Sequence, residues 1–131
     1  MHQVVILFYP AAESSSARQI SDIHSGSFDN AKKIQYAVDL VNEQQSDLLL
    51  FTGDLVNNRA DEMEPWVDTF SQLNAPMGKF SILGNHDYGD YVSWESGHAK
   101  AENMEQLYKM HERIGFRLMR NENLQLERNG D

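Results

Sequence analysis

Three short polar clusters in this chain carry side chains able to hold a metal ion. "SDIHSG" contains Asp22 and His24, "TGDLVNN" contains Asp54, and "LGNHDYG" contains Asn85, His86 and Asp87. Carboxylate, imidazole and amide oxygen are donors that zinc, manganese, iron or magnesium accept. In an Asp-x-His pair on an extended strand, side chains two residues apart point the same way, so Asp22 and His24 can reach one ion. Gly53 and Gly84 stand just before Asp54 and Asn85. Glycine there lets the backbone turn sharply and approach a ligand closely, and an aspartate directly after such a turn can bridge two ions. Each cluster alone also has an ordinary reading. Asp54 can be a turn or cap residue, and Asn57 and Asn58 read as turn or cap residues rather than ligands. Asp22 and His24 can be a strand-end turn with a surface histidine. Three polar residues in a row behind a buried run are costly to place without partners, and the three clusters together favour the metal site.

Positioning these clusters requires strands that end at each of them. "DLLLFTGD" holds a continuous apolar run, Leu48 to Phe51, as expected of a strand buried on both faces in a parallel sheet. "KFSIL" reads as a second strand and "FRLM" as a short third. Between them lie helical patterns. "NAKKIQYAVDLVNEQQ" places Ile34, Ala37, Val38 and Val41 on one face, with Asp29 or Asn30 as its cap. "EMEPWVDTFSQLNAP" puts Trp66, Val67, Phe70 and Leu73 on one side, with Pro65 near the first turn. "AKAENMEQLYKMHERIG" turns Met104, Leu107, Tyr108 and Ile114 inward and stops at Gly115. His98 and His111 read as solvent-facing, and Trp66 and Trp94 as packing residues. Trp94 and Tyr88 are also candidates to border a substrate pocket. The alternation predicts an α/β fold: a βαβαβ, mostly parallel sheet with flanking helices and right-handed crossovers. In open parallel sheets ligands bind beyond the carboxyl ends of the strands. Clusters about thirty residues apart, one strand-plus-helix unit, therefore converge at one sheet edge.

Composition narrows the classes. The chain has 131 residues, 40% hydrophobic and 24% charged, which suits one soluble globular domain. No apolar run approaches the about 18 residues of a membrane span. Cysteine is absent, which excludes disulfides, thiolate zinc sites and cysteine nucleophiles. A net charge of -9 argues against sequence-independent nucleic-acid binding. It suits a protein that holds divalent cations, but ordinary solubility is the preferred account of it. A Gly-x-Ser-x-Gly elbow around Ser25 or Ser27 and a dinucleotide-binding glycine fingerprint are both missing.

The ends depart from a complete domain. The stretch before Ser21, "SSSARQI", is polar where a buried strand is expected, and the better strand, Val4–Tyr9, lies upstream. "NLQLERNGD" alternates like a strand and leads into Asn-Gly, a hairpin signal, so its final strand should be an exposed edge or a frayed tail. The expectation is an atypical N-terminal segment at 1–16, followed at 17–131 by the N-terminal portion of a longer domain, truncated at the C-terminus.

The three clusters resemble the D-x-H, G-D and G-N-H-D/E signatures of the calcineurin-like metallophosphoesterases, from about Gln19 to about Tyr91. "DIHSGSFDN", "FTGDLVNNRADE" and "GNHDYGDY" are most similar to the bacterial branch that includes membrane-associated phosphohydrolases. The resemblance implies half of a metallophosphoesterase sandwich and two divalent ions about 3.5–4 Å apart that activate a bridging hydroxide. It implies that Asp22 and His24 hold the first ion, that Asp54 bridges, and that Asn85 binds the second through its side-chain oxygen. It further implies that His86 faces the substrate, stabilising charge or protonating the leaving oxygen, with Asp87 behind it to orient the ring. The substrate would be a phosphorylated small molecule or a lipid-linked phosphate or pyrophosphate, in a membrane-associated parent. Family members add downstream histidines, one in a G-H motif and two in G-H-x-H. Of the five histidines here, His2, His98 and His111 do not match these. The parent is therefore expected to be an active phosphoesterase and this chain alone to be weakly active or inactive. The alternative is a non-catalytic binding module that keeps the fold. Substrate, metal identity, oligomeric state and compartment are left open.

Overall fold

A computed structural model of the chain describes residues 5–9, 16–120 and 123–127. Four strands, β2 (Ala17–Ile20), β3 (Leu48–Phe51), β4 (Gly78–Ser81) and β5 (Arg117–Leu118), form one sheet in the order β2-β3-β4-β5, every pair parallel. Between them run α1 (Ala31–Glu43), a 3₁₀ segment (Ala60–Trp66) leading into the single turn α2 (Val67–Phe70), and α3 (Gly97–Arg113). The expected α/β class and parallel sheet with flanking helices are present.

Crossovers that all step the same way along a sheet put their helices on one face, and the core follows that rule. Leu49 and Phe51 pack with Val38 of α1, Phe70 of α2, and Leu107 and Met110 of α3. Their strand neighbours point the other way, so Leu48, Phe80 and Met119 form a second, smaller buried cluster with Leu50 and Ile82 against it. β3 is thus buried on both faces, as its unbroken apolar run implied.

The α1 cap is as expected, Asn30 being the one of the two candidates that serves, its Oδ1 accepting from Lys32 N at 3.1 Å and Lys33 N at 3.2 Å. Several other local expectations need correction. Ala37 is exposed while Val38 is buried. The stretch around Pro65 is 3₁₀ rather than α-helical up to Trp66; proline has no N–H to give an α-helical ladder. In α3, Met110 and His111 are buried, whereas Tyr108 is only half-buried. His111, expected to face solvent, is fully buried.

The polar stretch before Ser21 does form a strand. β2 is an edge strand whose Ala17, Arg18 and Gln19 are exposed, so it needs no apolar side chains. Backbone contacts anchor it: Asp47 N and Leu48 N both donate to Ser16 O, and Ser16 N donates to Asp47 Oδ2 at 2.9 Å. The upstream strand, β1 (Val5–Tyr9), pairs in parallel with β6 (Asn123–Glu127) in a separate two-stranded sheet. The final strand, expected to be unpaired, therefore has a partner. The Asn129–Gly130 turn lies outside the described residues.

Candidate metal centre

The three clusters leave the carboxyl ends of β2, β3 and β4 side by side, and a continuing ladder holds the first two loops in register. Asp22 N donates to Gly53 O, His24 N to Asp54 O and Ser25 N to Leu55 O, each at 3.0 Å. Asp22 and His24 are therefore not on an extended strand, as the Asp-x-His reading assumed. Both are left-handed, φ 53° and 49°, and Asp54 is too, φ 61°. Left-handed backbone is uncommon outside glycine and gathers at functional sites. The strand-derived parallelism of Asp22 and His24 is replaced by a tight turn that still brings the ligands together. Oxygens of Asp22 and Asp54 and a ring nitrogen of His24 lie within 4.8 Å of one another. His24 Nε2 is 3.7 Å from Asp22 Oδ1 and 3.8 Å from Asp54 Oδ2.

The loops after β3 and β4 are locked face to face through glycine. A Cβ on Gly53, φ 116°, would lie 2.7 Å from Gly84 Cα, and one on Gly84 would lie 2.5 Å from Asp54 N. This close approach lets His86 N donate to Asp54 Oδ1 at 2.9 Å. The His86 ring then meets the His24 ring edge-on at 4.8 Å. Asn85, exposed, sits one residue before that contact, in the αR region.

Asp87 does not orient the His86 ring, as the resemblance implied. It is fully buried, and its carboxylate accepts from Asp54 N at 2.8 Å, Gly84 N at 2.9 Å and Val56 N at 3.2 Å. It ties the β3 loop to the β4 loop. Burial pushes its pKa up, against the lowering effect of the three N–H donors.

The group that does hold the rings is Asn57, read from sequence as a turn residue. His86 Nδ1 lies 2.9 Å from the Asn57 carbonyl and His24 Nδ1 3.1 Å from Asn57 Oδ1. Both partners can only accept, so each Nδ1 carries a proton, and in the neutral ring Nε2 keeps its lone pair. Asn57 is itself fixed, its Nδ2 donating to Ser27 Oγ at 3.0 Å and its N to Glu62 Oε2 at 2.6 Å. Half of this arrangement runs through a main-chain carbonyl, which no side-chain pattern discloses. A second residue that the sequence reading missed is Tyr91, 62% exposed, whose ring lies 4.5 Å from that of His86. Its place in "GNHDYGDY", right behind the third cluster, was the available signal.

The donor set fits a divalent cation. Two carboxylates and an imidazole bring donor atoms within 4.8 Å of one another, on left-handed backbone of the kind that gathers at functional sites. The other histidines with described side chains do not join it. His98 pairs with Glu102 at 3.2 Å, and His111 Nδ1 meets Ser81 Oγ at 2.7 Å beneath the sheet edge. Burial lowers the His111 pKa to about 4. Tyr88 is half-buried, and Trp94 donates from Nε1 to Gly89 O at 2.7 Å.

Comparison with known proteins agrees with this geometry. The family model described as calcineurin-like phosphoesterase matches residues 18–126. The chain is similar to the "Uncharacterized metallophosphoesterase YkuE" of Bacillus subtilis, 35% identical over 56% of this chain and 26% of the relative. It is similar to "UDP-2,3-diacylglucosamine pyrophosphatase LpxG" of Chlamydia muridarum, 38% identical over 57% of this chain and 23% of the relative. A zebrafish (Danio rerio) "Transmembrane protein with metallophosphoesterase domain" is 31% identical over 57% of this chain and 18% of its own length. The chain thus spans about a quarter or less of the length of these relatives. No solved structure matches with significance.

Proposed function

Because this chain belongs to the calcineurin-like phosphoesterase family, we propose that it contributes the metal-binding edge of a metal-dependent hydrolase of phosphate esters. The observation that carries this reading is the convergence of Asp22, His24 and Asp54 within 4.8 Å, with His86 braced against two of them. Asp22, His24 and Asp54 would hold the cation, with Asn85 as a further oxygen donor toward a second ion. Divalent metal bound there supplies Lewis acidity toward phosphoryl oxygens and an acidified water. The chain's own part is orientation and proton handling. Asn57 holds a proton on Nδ1 of both rings, and His86, in its doubly protonated form, would donate from Nε2 to a phosphoryl oxygen or to the leaving oxygen. Asp87 keeps the two loops at the separation this requires.

Two relatives inform the wider reading. A diacylglucosamine pyrophosphatase among them supports a lipid-linked phosphorylated substrate, and a transmembrane relative supports a membrane-associated parent. Among the described residues, no helix is long and apolar enough to cross a membrane. A specific observation favours the alternative of a binding module without turnover: neither His98 nor His111 joins the cluster, which leaves few ligands for two ions. Manganese-dependent hydrolysis of a generic aryl phosphate separates the two. Turnover that Asp54→Asn abolishes sinks the binding-module reading. No turnover in the chain, with measurable manganese binding, sinks catalysis by this chain alone.

A further inference from the structure

A polar pocket of about 270 Å³ opens between Arg59, the loop before α3 and the first turns of α3. Two of its lining residues are linked to the loops that carry the metal cluster. Arg59 follows two residues after Asn57, which holds both histidine rings. Trp94 is bonded to Gly89, the residue that closes the His86–Tyr88 turn.

The wall residue that calls for a ligand is Asn103. It is only 7% exposed, its Oδ1 is taken by Ala60 N at 2.8 Å, and its Nδ2 has no partner. A buried amide N–H₂ without an acceptor is destabilising, so an acceptor that reaches it from the pocket gains more than an exposed contact would. The other walls decide what that ligand is. Asp61, Glu95 and Glu102 line the pocket against one cation, Arg59, which already lies 4.5 Å over the Trp94 ring. Glu102 also meets His98 at 3.2 Å. Three carboxylates repel a phosphate or any other anion. They do not gather closely enough to form a metal-ligating group among the described residues. Carboxylates only accept hydrogen bonds, whereas Asn103 and Arg59 donate them. A neutral ring bearing several hydroxyls satisfies both, since each hydroxyl donates and accepts.

We propose that this pocket binds the hydroxylated ring of a sugar, the part of the substrate next to its phosphate. The proposal rests on the phosphoesterase reading only for what the sugar is attached to. The phosphate goes to the metal edge and the neutral ring to a pocket that excludes phosphate.

The test uses the full chain without metal, labelled with ¹⁵N, following the Asn103 side-chain amide and the Trp94 indole N–H. Glucose and uridine are titrated separately, to distinguish a hexose from a ribose, with inorganic phosphate as the third arm. Saturable shifts of both signals with either sugar, and none with phosphate, are expected. Glu95→Gln should weaken the apparent affinity about fivefold, as loss of one charged acceptor implies. Asn103→Leu should abolish the shifts at Trp94. If the leucine variant does not fold, the glutamine variant still decides. Silence with both sugars, shifts with phosphate, or unchanged affinity in Glu95→Gln would overturn the proposal. Neither turnover nor metal is needed, so failed hydrolysis counts against the phosphoesterase reading and leaves the sugar result to stand or fall by itself.

Discussion

The loops after β3 and β4 and the loop after β2 carry the same kinds of metal-capable side chain but are built to different standards. The first pair is cross-braced. Gly53 abuts Gly84, three backbone N–H groups converge on Asp87, and Asp54 Oδ1 receives His86 N. The third follows an edge strand and is held to the β3 loop by its backbone ladder, but its Asp22 side chain is 66% exposed and bonded to Ser21 Oγ at 2.8 Å. Substitutions in the braced pair should therefore cost the fold, and those in the β2 loop should cost the ion but not the fold.

The sharpest way to break that contrast is Asp87→Ala. Three N–H donors, that of Val56 buried and those of Asp54 and Gly84 partly so, lose their acceptor at about 1–3 kcal/mol apiece, so urea unfolding should show a loss of about 3 kcal/mol or more. A loss under about 1 kcal/mol would mean that the brace is not what holds the loops. Next comes His111, under the β4 end of the pair. Its folded pKa, about 4, lies below the ordinary 6.5. The unfolded chain therefore takes up the proton first as pH falls. The stability this group contributes is complete above pH 6.5 and is lost on acidification toward about 4. The loss amounts to about 3 kcal/mol. Unfolding measured from pH 7 to 4 should show that slope in the wild type and a shallower one in His111→Leu.

Gly84→Ala puts a Cβ 2.5 Å from Asp54 N and should cost about 2 kcal/mol by overpacking, with weaker manganese binding. Asn57→Ala removes the Oδ1 partner of His24 but keeps the carbonyl partner of His86. Its stability should fall by about 1 kcal/mol, and imidazole ¹⁵N shifts should show the His24 tautomer freed and the His86 tautomer retained. Asp22→Ala should be smallest in stability, within about 0.5 kcal/mol, yet reduce manganese affinity at least about tenfold by calorimetry.

What was legible in the sequence follows the same division. The convergence of Asp22, His24 and Asp54 and the strands behind it were readable, because a buried parallel strand is a plain apolar run and the glycines mark close backbone approach. The burial of His111 had a signal that the charged neighbours hid: it stands four residues after Leu107 and three before Ile114, both buried. Asp87 was assigned to the nearest ring because side-chain logic pairs a carboxylate with a histidine, whereas its actual partners are main-chain N–H groups from another loop. Asn57 was opaque for the mirror reason, since one of its two contacts is a carbonyl that every residue type possesses. The strand before Ser21 was expected to be buried and apolar, whereas β2 is an edge strand, held by its backbone ladder, that leaves no apolar record.

The left-handed backbone at Asp22 sets what residue 22 would become under different pressures. Aspartate tolerates that region, but glycine occupies it without steric cost. Variants of this chain selected only for remaining folded would drift toward glycine at position 22, and those selected for retaining an ion would not. A random library screened both ways would thus read, from one codon, whether holding metal is what this surface is for.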